Sequence, residues 1–260
     1  MPLDKLLPFE WNRGEAEAKH AKWFESDLIH HPLRITPIDN ENYLVLDHNE
    51  IYYQACEQEL ENVPVLICDH KELNIISNQL GLVNFDRHDL IRLAEKHPEQ
   101  IVINEKLKSQ NDLYLLFKFS FNDDSTQKVY LRNSTQTGCP FPMELIFRAI
   151  LENGRVVPFY YRRPKSDSLT RIQNITSFIE LPGFSLLDLK NAAQSERYFP
   201  PEIINVQSQL RVFNIDYPMS ILSSDISIDE KRAFLKEMVN LREQSQKTAY
   251  YQGKIYLLNS

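Results

Sequence analysis

Two stretches of this chain hold residue types whose spacing suits chemistry. Tyr160-Tyr161-Arg162-Arg163-Pro164-Lys165 packs three cations and two aromatic rings into six residues. Arginine forks match phosphate oxygens and tyrosine rings stack on bases, so this run reads as an anion or nucleotide site. The plainer reading is a strand that leaves the core into a solvated basic loop. Gly138-Cys139-Pro140 places a thiol beside a proline that holds its loop open. A thiolate there suits haem iron, although Cys-Pro pairs are common by chance. All seven histidines precede residue 100. A zinc site needs His and Cys clustered at short spacing. His30 and His31 are adjacent, which points them apart in regular structure, and His48 stands alone. They read as surface or hydrogen-bonded side chains, and no metal site is expected. With only six glycines in the chain, a glycine-rich phosphate loop is excluded.

Composition narrows the classes further. Of the 260 residues 42% are hydrophobic and 25% charged, the profile of a folded globular chain. A net charge of −7 disfavours duplex DNA, whose binders carry a basic face. No segment approaches the roughly 20 apolar residues of a membrane span. The start, MPLDKLLPFEWNRGE, lacks the apolar core of a signal peptide. Cys56, Cys68 and Cys139 are few, odd in number and widely spaced. They read as reduced thiols of a cytoplasmic protein, Cys56 and Cys68 as small core residues.

The elements that must position these groups follow from periodicity. Residues 15–30 read as a helix with Ala21, Phe24 and Leu28 on one face, ended by Pro32. LRITPI (33–38) and YLVLD (43–47) read as strands joined by the Asp39–Asn42 turn. Residues 50–60 read as a helix, and VPVLICD (63–69) as a strand buried in a sheet. That strand–helix–strand step has the length of a parallel crossover. Residues 71–97 read as helical, with Asp86 as N-cap and Pro98 as stop. LYLLFKFSF (113–121) and KVYLR (128–132) read as a strand pair around Asn122–Ser125. Helices are expected over 142–151, 184–194 behind Ser185, and 225–246. Strands are expected over 156–163, from 210, and over 254–258. In the 225–246 helix, Asp229-Glu230-Lys231-Arg232 reads as a solvated face. Its apolar side, Ile228, Phe234, Leu235, Met238 and Leu241, suits either the core or a homodimer seam.

Two regions resemble the free-serine kinases of the ParB/sulfiredoxin superfamily, including their siderophore-associated branch. The first spans 4–69: DKLLPFEWNR, HHPLRI and NYLVLDHNEIYYQACEQELENVPVLI follow that family's N-terminal order. The second spans about 199–258, where FPPEIINVQSQLRVFNIDYPMSIL and TAYYQGKIYLL match the register of its C-terminal segment. The resemblance implies a mixed α/β (α+β) fold. A ParB/sulfiredoxin-like core over 1–70 precedes a closely packed α/β region over 71–260.

It also implies three polar requirements, and this chain departs from each. The family's N-terminal general base falls at Leu7, which cannot accept a proton; Glu10, three residues on, aligns with a second family carboxylate. The family's Asp-Gly-x-His-Arg turn, which holds nucleotide phosphates, reads Asp47-His48-Asn49-Glu50-Ile51. Only the aspartate survives, and Glu50 beside a triphosphate is repulsive by about 1 kcal/mol in water and several times that in a drier pocket. A Thr-Arg pair falls at Ile204-Asn205, while a later arginine is kept as Arg211. The expectation is a degenerate kinase relative that binds a small molecule or a protein partner, with no cofactor. The competing reading is an active phosphotransferase using ATP or ADP with magnesium, with Asp47 or Glu10 as base and Arg13, Arg163 and Arg211 on phosphate. On that reading His48, Asn49 and Glu50 line the ligand site. A DNA-associated regulator is the third, argued from superfamily kinship alone.

Overall fold

Alternating apolar residues punctuated by Asx turns dictate most of the strands in this chain. The computed structural model describes residues 1–11, 27–77, 79–96, 98, 101–103, 113–121, 123, 125–132, 155–159, 175–200, 203–208, 212 and 215–245. In chain order the elements begin with β1 (Leu6–Leu7), β2 (Leu28–Ile29), β3 (Leu33–Pro37) and β4 (Tyr43–Val45), then helix α1 (Asn49–Glu57) and β5 (Val65–Ile67). Next come β6 (Asn74–Ser77), β7 (Gln79–Val83), α2 (Arg87–Lys96), β8 (Ile101–Ile103), β9 (Leu113–Phe121) and β10 (Thr126–Arg132). β11 (Arg155–Phe159), β12 (Ile175–Glu180), α3 (Leu186–Gln194) and β13 (Ile204–Gln207) follow. Last are β14 (Tyr217–Pro218), the one-turn α4 (Met219–Leu222) and α5 (Ile228–Gln244).

The chain divides into two compact units. The first comprises Met1–Leu7, Asn12–Leu73 and Ser208–Ser260; the second comprises Pro8–Trp11 and Asn74–Gln207. A boundary at 70/71 is expected from the sequence; contacts divide the chain after Leu73 and return residues from Ser208 onward to the first unit.

In the first unit a four-stranded sheet runs β1-β4-β3-β5. β3 and β4 form the expected hairpin. Asp39 Oδ1 closes its turn by accepting from the Glu41 and Asn42 amides, each at 2.8 Å. β5 is parallel to β3, with Leu33 opposite Val65 and Ile35 opposite Ile67. The parallel pair is therefore β3/β5 and not β4/β5, because β3 lies between them and runs antiparallel to β4. β5 is an edge strand, so the expected full burial fails and Ile67 is 55% exposed. Strand alternation puts Leu33, Ile35 and Val45 on one face, where Ile51 and Ala55 of α1 cover them. Arg34, Thr36 and Leu44 face the other way.

Three further expectations change in the described residues. Leu28 and Ile29 do not end a helix but pair with Tyr217 and Pro218. Asp27, left-handed at φ 54°, breaks any helix there, and the remainder of the proposed 15–30 helix lies outside the described residues. Of the segment expected to start as a strand at 210, residues 210, 211, 213 and 214 lie outside the described residues, and Tyr217–Pro218 forms β14. The helix expected over 71–97 survives only as α2. Asn74–Ser77 forms β6 and Gln79–Val83 forms β7 instead, because β6 pairs with β13 and β7 with β11 and β12.

In the second unit β11-β7-β12-β9-β10-β8 form an antiparallel sheet around Phe85, Phe117, Phe119 and Phe121. The expected β9/β10 hairpin is present. Sequence-legible caps start the helices: Asp86 on α2, and capping boxes from Ser185 with Asp188 on α3 and Ser227 with Glu230 on α5. The helix expected at 142–151 and the strand at 254–258 lie outside the described residues.

Thr36 is fully buried on β3, and its Oγ1 has no hydrogen-bond partner among the described residues. An unsatisfied buried hydroxyl is a net cost. Thr36→Val is therefore expected to stabilise the protein by about 1 kcal/mol, read as a rise in the urea midpoint at unchanged slope.

Candidate functional site

The strand-to-helix corner after β4 gathers the polar side chains of the first unit. Leu46 N donates to Arg34 O at 2.8 Å, which keeps the chain beside β3 as it leaves the ladder. His48 then turns into the left-handed region, φ 54° and ψ 39°, and α1 begins at Asn49. Ile51 N and Tyr52 N donate to His48 O at 2.8 and 3.4 Å. His48 occupies the place of the glycine in the resembling turn. The glycine-type backbone is thus retained by a residue that adopts it at a cost of about 1–2 kcal/mol. What changes is the space over the turn, which an imidazole now occupies.

Arg34 organises this corner. It projects from the middle of an apolar strand, and only 5% of its surface is exposed. Both Nε and Nη2 reach Asp47 Oδ2 at 2.5 Å, and Nη1 donates to Ser208 Oγ at 2.7 Å. A buried guanidinium needs a counter-ion, and the surviving aspartate of the turn serves as one. Asp47 Oδ1 is buried and accepts no hydrogen bond among the described residues. Two donors already occupy Oδ2, so this carboxylate is arranged as an ion-pair partner. Cys68, buried nearby, hydrogen-bonds Ser208; burial pushes its thiol up despite the Arg34 charge and that hydrogen bond.

The histidines complete the cluster. His48 Nδ1 lies 3.2 Å from Glu50 Oε1, and Nε2 lies 3.9 Å from Asp47 Oδ2. Burial pulls the His48 pKa down, but the Glu50 hydrogen bond and the charges of Asp47 and Glu50 outweigh it, and the net shift is upward. The His31 ring stacks on His48, centroids 6.1 Å apart and 22° between planes. Burial, then the charges of His48 and His30, push His31 down to about 4. The two rings are therefore pushed in opposite directions, His48 toward holding a proton and His31 away from it. His48, isolated in the sequence, is hydrogen-bonded to Glu50 and stacked on His31 in space. His30 turns elsewhere: its Nδ1 is 2.6 Å from Asp216 Oδ1, and Arg242 Nη2 donates to Asp216 Oδ2 at 3.1 Å.

Among the expected site residues, Asp47, His48, Asn49 and Glu50 come together here, with Asn49 buried and Glu50 exposed. Glu10 belongs to the second unit, in a parallel bridge with Phe199, and Trp11 N donates to Phe199 O at 3.0 Å. Asn205, at one Thr-Arg position, is in β13 opposite Ile76. Arg13, Arg163, Arg211 and Cys139 lie outside the described residues. Cys56 is exposed on α1 rather than in the core. Sequence reasoning missed Arg34, His31 and Ser208. A lone arginine inside the apolar run Leu33–Pro37 was the legible signal for the first; nothing local marked its partner 174 positions away.

Among the described residues the buried guanidinium of the corner is bound to Asp47, Glu50 adds an exposed negative charge, and His48 stands at the left-handed position of the turn. Among the described residues no group of three or more His, Cys, Asp or Glu is placed to hold a metal ion, and no helix is long and apolar enough to cross a membrane.

No protein-family model matches the chain, and no curated protein matches it in sequence. Solved structures do match in fold. SbnI with a C-terminal truncation, from Staphylococcus aureus, superposes with a TM-score of 0.73 at 14% identity, over 93% of this chain and 95% of that one. A free serine kinase in complex with AMP gives 0.69 at 11%, over 85% and 92%. A conserved hypothetical protein from Pyrococcus furiosus gives 0.64 at 13%, over 85% and 95%. The mixed α/β fold is therefore that of SbnI and the free serine kinases.

Removing one partner of the buried pair strands the other. Arg34→Met is expected to cost about 3–5 kcal/mol, and adding Asp47→Leu to recover most of it; urea denaturation of both variants measures this. The His31 shift sets a separate pH dependence. Its folded pKa lies below the ordinary 6.5, so the unfolded chain binds more protons between those values. The His31 contribution is complete above pH 6.5 and is lost as pH falls toward about 4. His48, shifted upward, acts in the opposite sense, stabilising below its ordinary value and losing that as pH rises. Urea midpoints across this window should fall less steeply on acidification for His31→Asn than for the parent.

Proposed function

We propose that this chain is a catalytically degenerate relative of the free-serine kinases, acting in the cytoplasm as a small-molecule-binding or partner-regulating protein. By the resemblance to the siderophore-associated branch, its setting is amino-acid or siderophore-type metabolism. One observation carries the reading: Asp47, the surviving polar residue of the phosphate turn, is the counter-ion of the buried Arg34. A carboxylate held by two N–H donors on one oxygen, with the other oxygen buried, is a poor acceptor for a substrate hydroxyl proton, which general-base catalysis requires. His48 and Glu50 support the same reading, because between them they add bulk and negative charge where a triphosphate needs open backbone and cations.

The fold likeness to kinases with AMP or ADP bound supports a second reading, an active phosphotransferase with a remodelled site. The two separate cleanly. Purified protein with ATP or ADP, magnesium and L-serine is expected to form no O-phosphoserine, measured by mass spectrometry. Its melting temperature should also not respond to nucleotide, whereas a ligand at 100 times its Kd would add about 2.7 kcal/mol. O-phosphoserine that disappears with Asp47→Ala would overturn the proposal in favour of the second reading.

A further inference from the structure

Helix α5 carries a second buried cation, and this one has no anionic partner among the described residues. Its inward stripe is Lys231, Phe234, Leu235 and Met238, the i, i+3, i+4, i+7 spacing of a face turned to a core. The last three pack on Ile29, Ile215, Tyr217 and Leu222 as apolar residues should. Lys231 occupies the first place in that stripe and is only 5% exposed, where the sequence reading put it on the solvated face. Its backbone carbonyl accepts from Tyr217 Oη at 3.0 Å. Its Nζ donates to Leu222 O at 2.6 Å, and it has no carboxylate partner among the described residues.

Lys231 and Leu222 both line a cleft of about 200 Å³ whose other walls include Val65 and Ile67 of β5, Tyr217 and Leu235. No acidic residue lines it, and Arg232 stands at its margin, paired with Asp229 at 3.2 Å. An ammonium has three donors and Leu222 O takes one, leaving two directed donors in apolar surroundings. Buried charges are normally compensated by an opposite charge. We infer that this cleft binds a small monocarboxylate with a compact apolar body, its carboxylate on Lys231 and its body against Val65, Ile67 and Leu235. A carboxylate suits the site better than a phosphate. Arg232 is paired with Asp229, and burial together with the charges of Arg232 and Lys231 lowers the nearby Met1 amino group to about 6, so near neutral pH Lys231 is the cation left to balance one negative charge. The size sets the body, since a cavity of about 150 Å³ accepts a benzene ring. Val65 and Ile67 sit on the sheet face opposite Arg34 and Leu66 by strand alternation. This site is therefore separate from the Asp47 corner and does not depend on how that corner is read.

Calorimetric titration of the full chain with benzoate, and with neutral benzamide of nearly the same shape, tests the inference. Saturable benzoate binding is expected, with benzamide about tenfold weaker or more. Lys231→Met keeps the length of the side chain and removes its charge. It is expected to weaken benzoate about tenfold or more, and to raise the ligand-free melting temperature by relieving the buried charge. Ile67→Trp, at a half-exposed rim position that tolerates bulk, is expected to fill the cleft and weaken benzoate as well. Absence of saturable benzoate binding up to about 10 mM overturns the inference. So does equal affinity for benzamide, or unchanged benzoate affinity in either Lys231→Met or Ile67→Trp.

Discussion

A guanidinium in the middle of an apolar strand must be given a negative charge before the sheet around it can close, and much of the first unit follows from how Arg34 is satisfied. Isolated burial of such a cation costs several kcal/mol or more. Asp47 supplies the anion from just beyond β4, and Ser208 supplies a neutral acceptor after a gap of 174 residues. The first contact fixes where the chain leaves the hairpin; the second ties the returning C-terminal segment to the N-terminal sheet. Side-chain alternation then leaves the opposite face apolar for α1. One polar pair thus sets the exit of β4, the direction of α1 and the closure of the unit.

That constraint has a chemical consequence at the turn. An aspartate serving as a structural counter-ion is held by its partner wherever the backbone places it, and two donors converge on one of its oxygens. The next residue retains the left-handed backbone that a glycine would adopt most easily. The backbone of a glycine-type turn therefore persists with an imidazole on it. The Arg34 charge at the corner is matched within the protein by Asp47, and the exposed Glu50 has the His48 ring beside it. The stacked His31 supports this arrangement by staying neutral, since two protonated rings 6.1 Å apart would repel.

How much of this was legible in the sequence depends on the range of the interaction. Signals acting within a few residues read correctly. Asp39 and Asn42 marked the β3/β4 turn; Asp86, Ser185 and Ser227 marked helix starts; Asp123 and Ser125 bracketed the β9/β10 hairpin. Interactions set by distant pairing did not. Asn74–Val83 has mixed local preference, and it becomes strand because β13 pairs β6 and because β11 and β12 pair β7. Leu28–Ile29 follows from β14, almost two hundred residues away in sequence. VPVLICD looked fully buried because its first six residues are apolar, but an edge position leaves one side of a strand without a neighbour. Of the site, the turn residues were visible through their resemblance to a motif, whereas Arg34 and His31 enter through space.

Lys231 and Arg34 show why charge patterning alone misplaces buried cations. In the local run Asp229-Glu230-Lys231-Arg232 every residue looks solvated, and Asp229 and Arg232 are. Glu230 is drawn into the capping box with Ser227, and the helical period then turns Lys231 by itself toward Tyr217 and Leu222. The two cations meet opposite solutions within one unit. Arg34 has a planar fork able to hold Asp47 and Ser208 together, so its charge is compensated internally and it acts as a clasp. Lys231 is a compact ammonium with one carbonyl for company, so its charge is directed toward whatever enters the cleft. A net charge of −7 does not relieve it, because exposed carboxylates in water are screened and an apolar wall admits none of them. The difference between a structural and a ligand-directed cation here rests on whether the fold brings an anion within reach, and burial alone does not distinguish them.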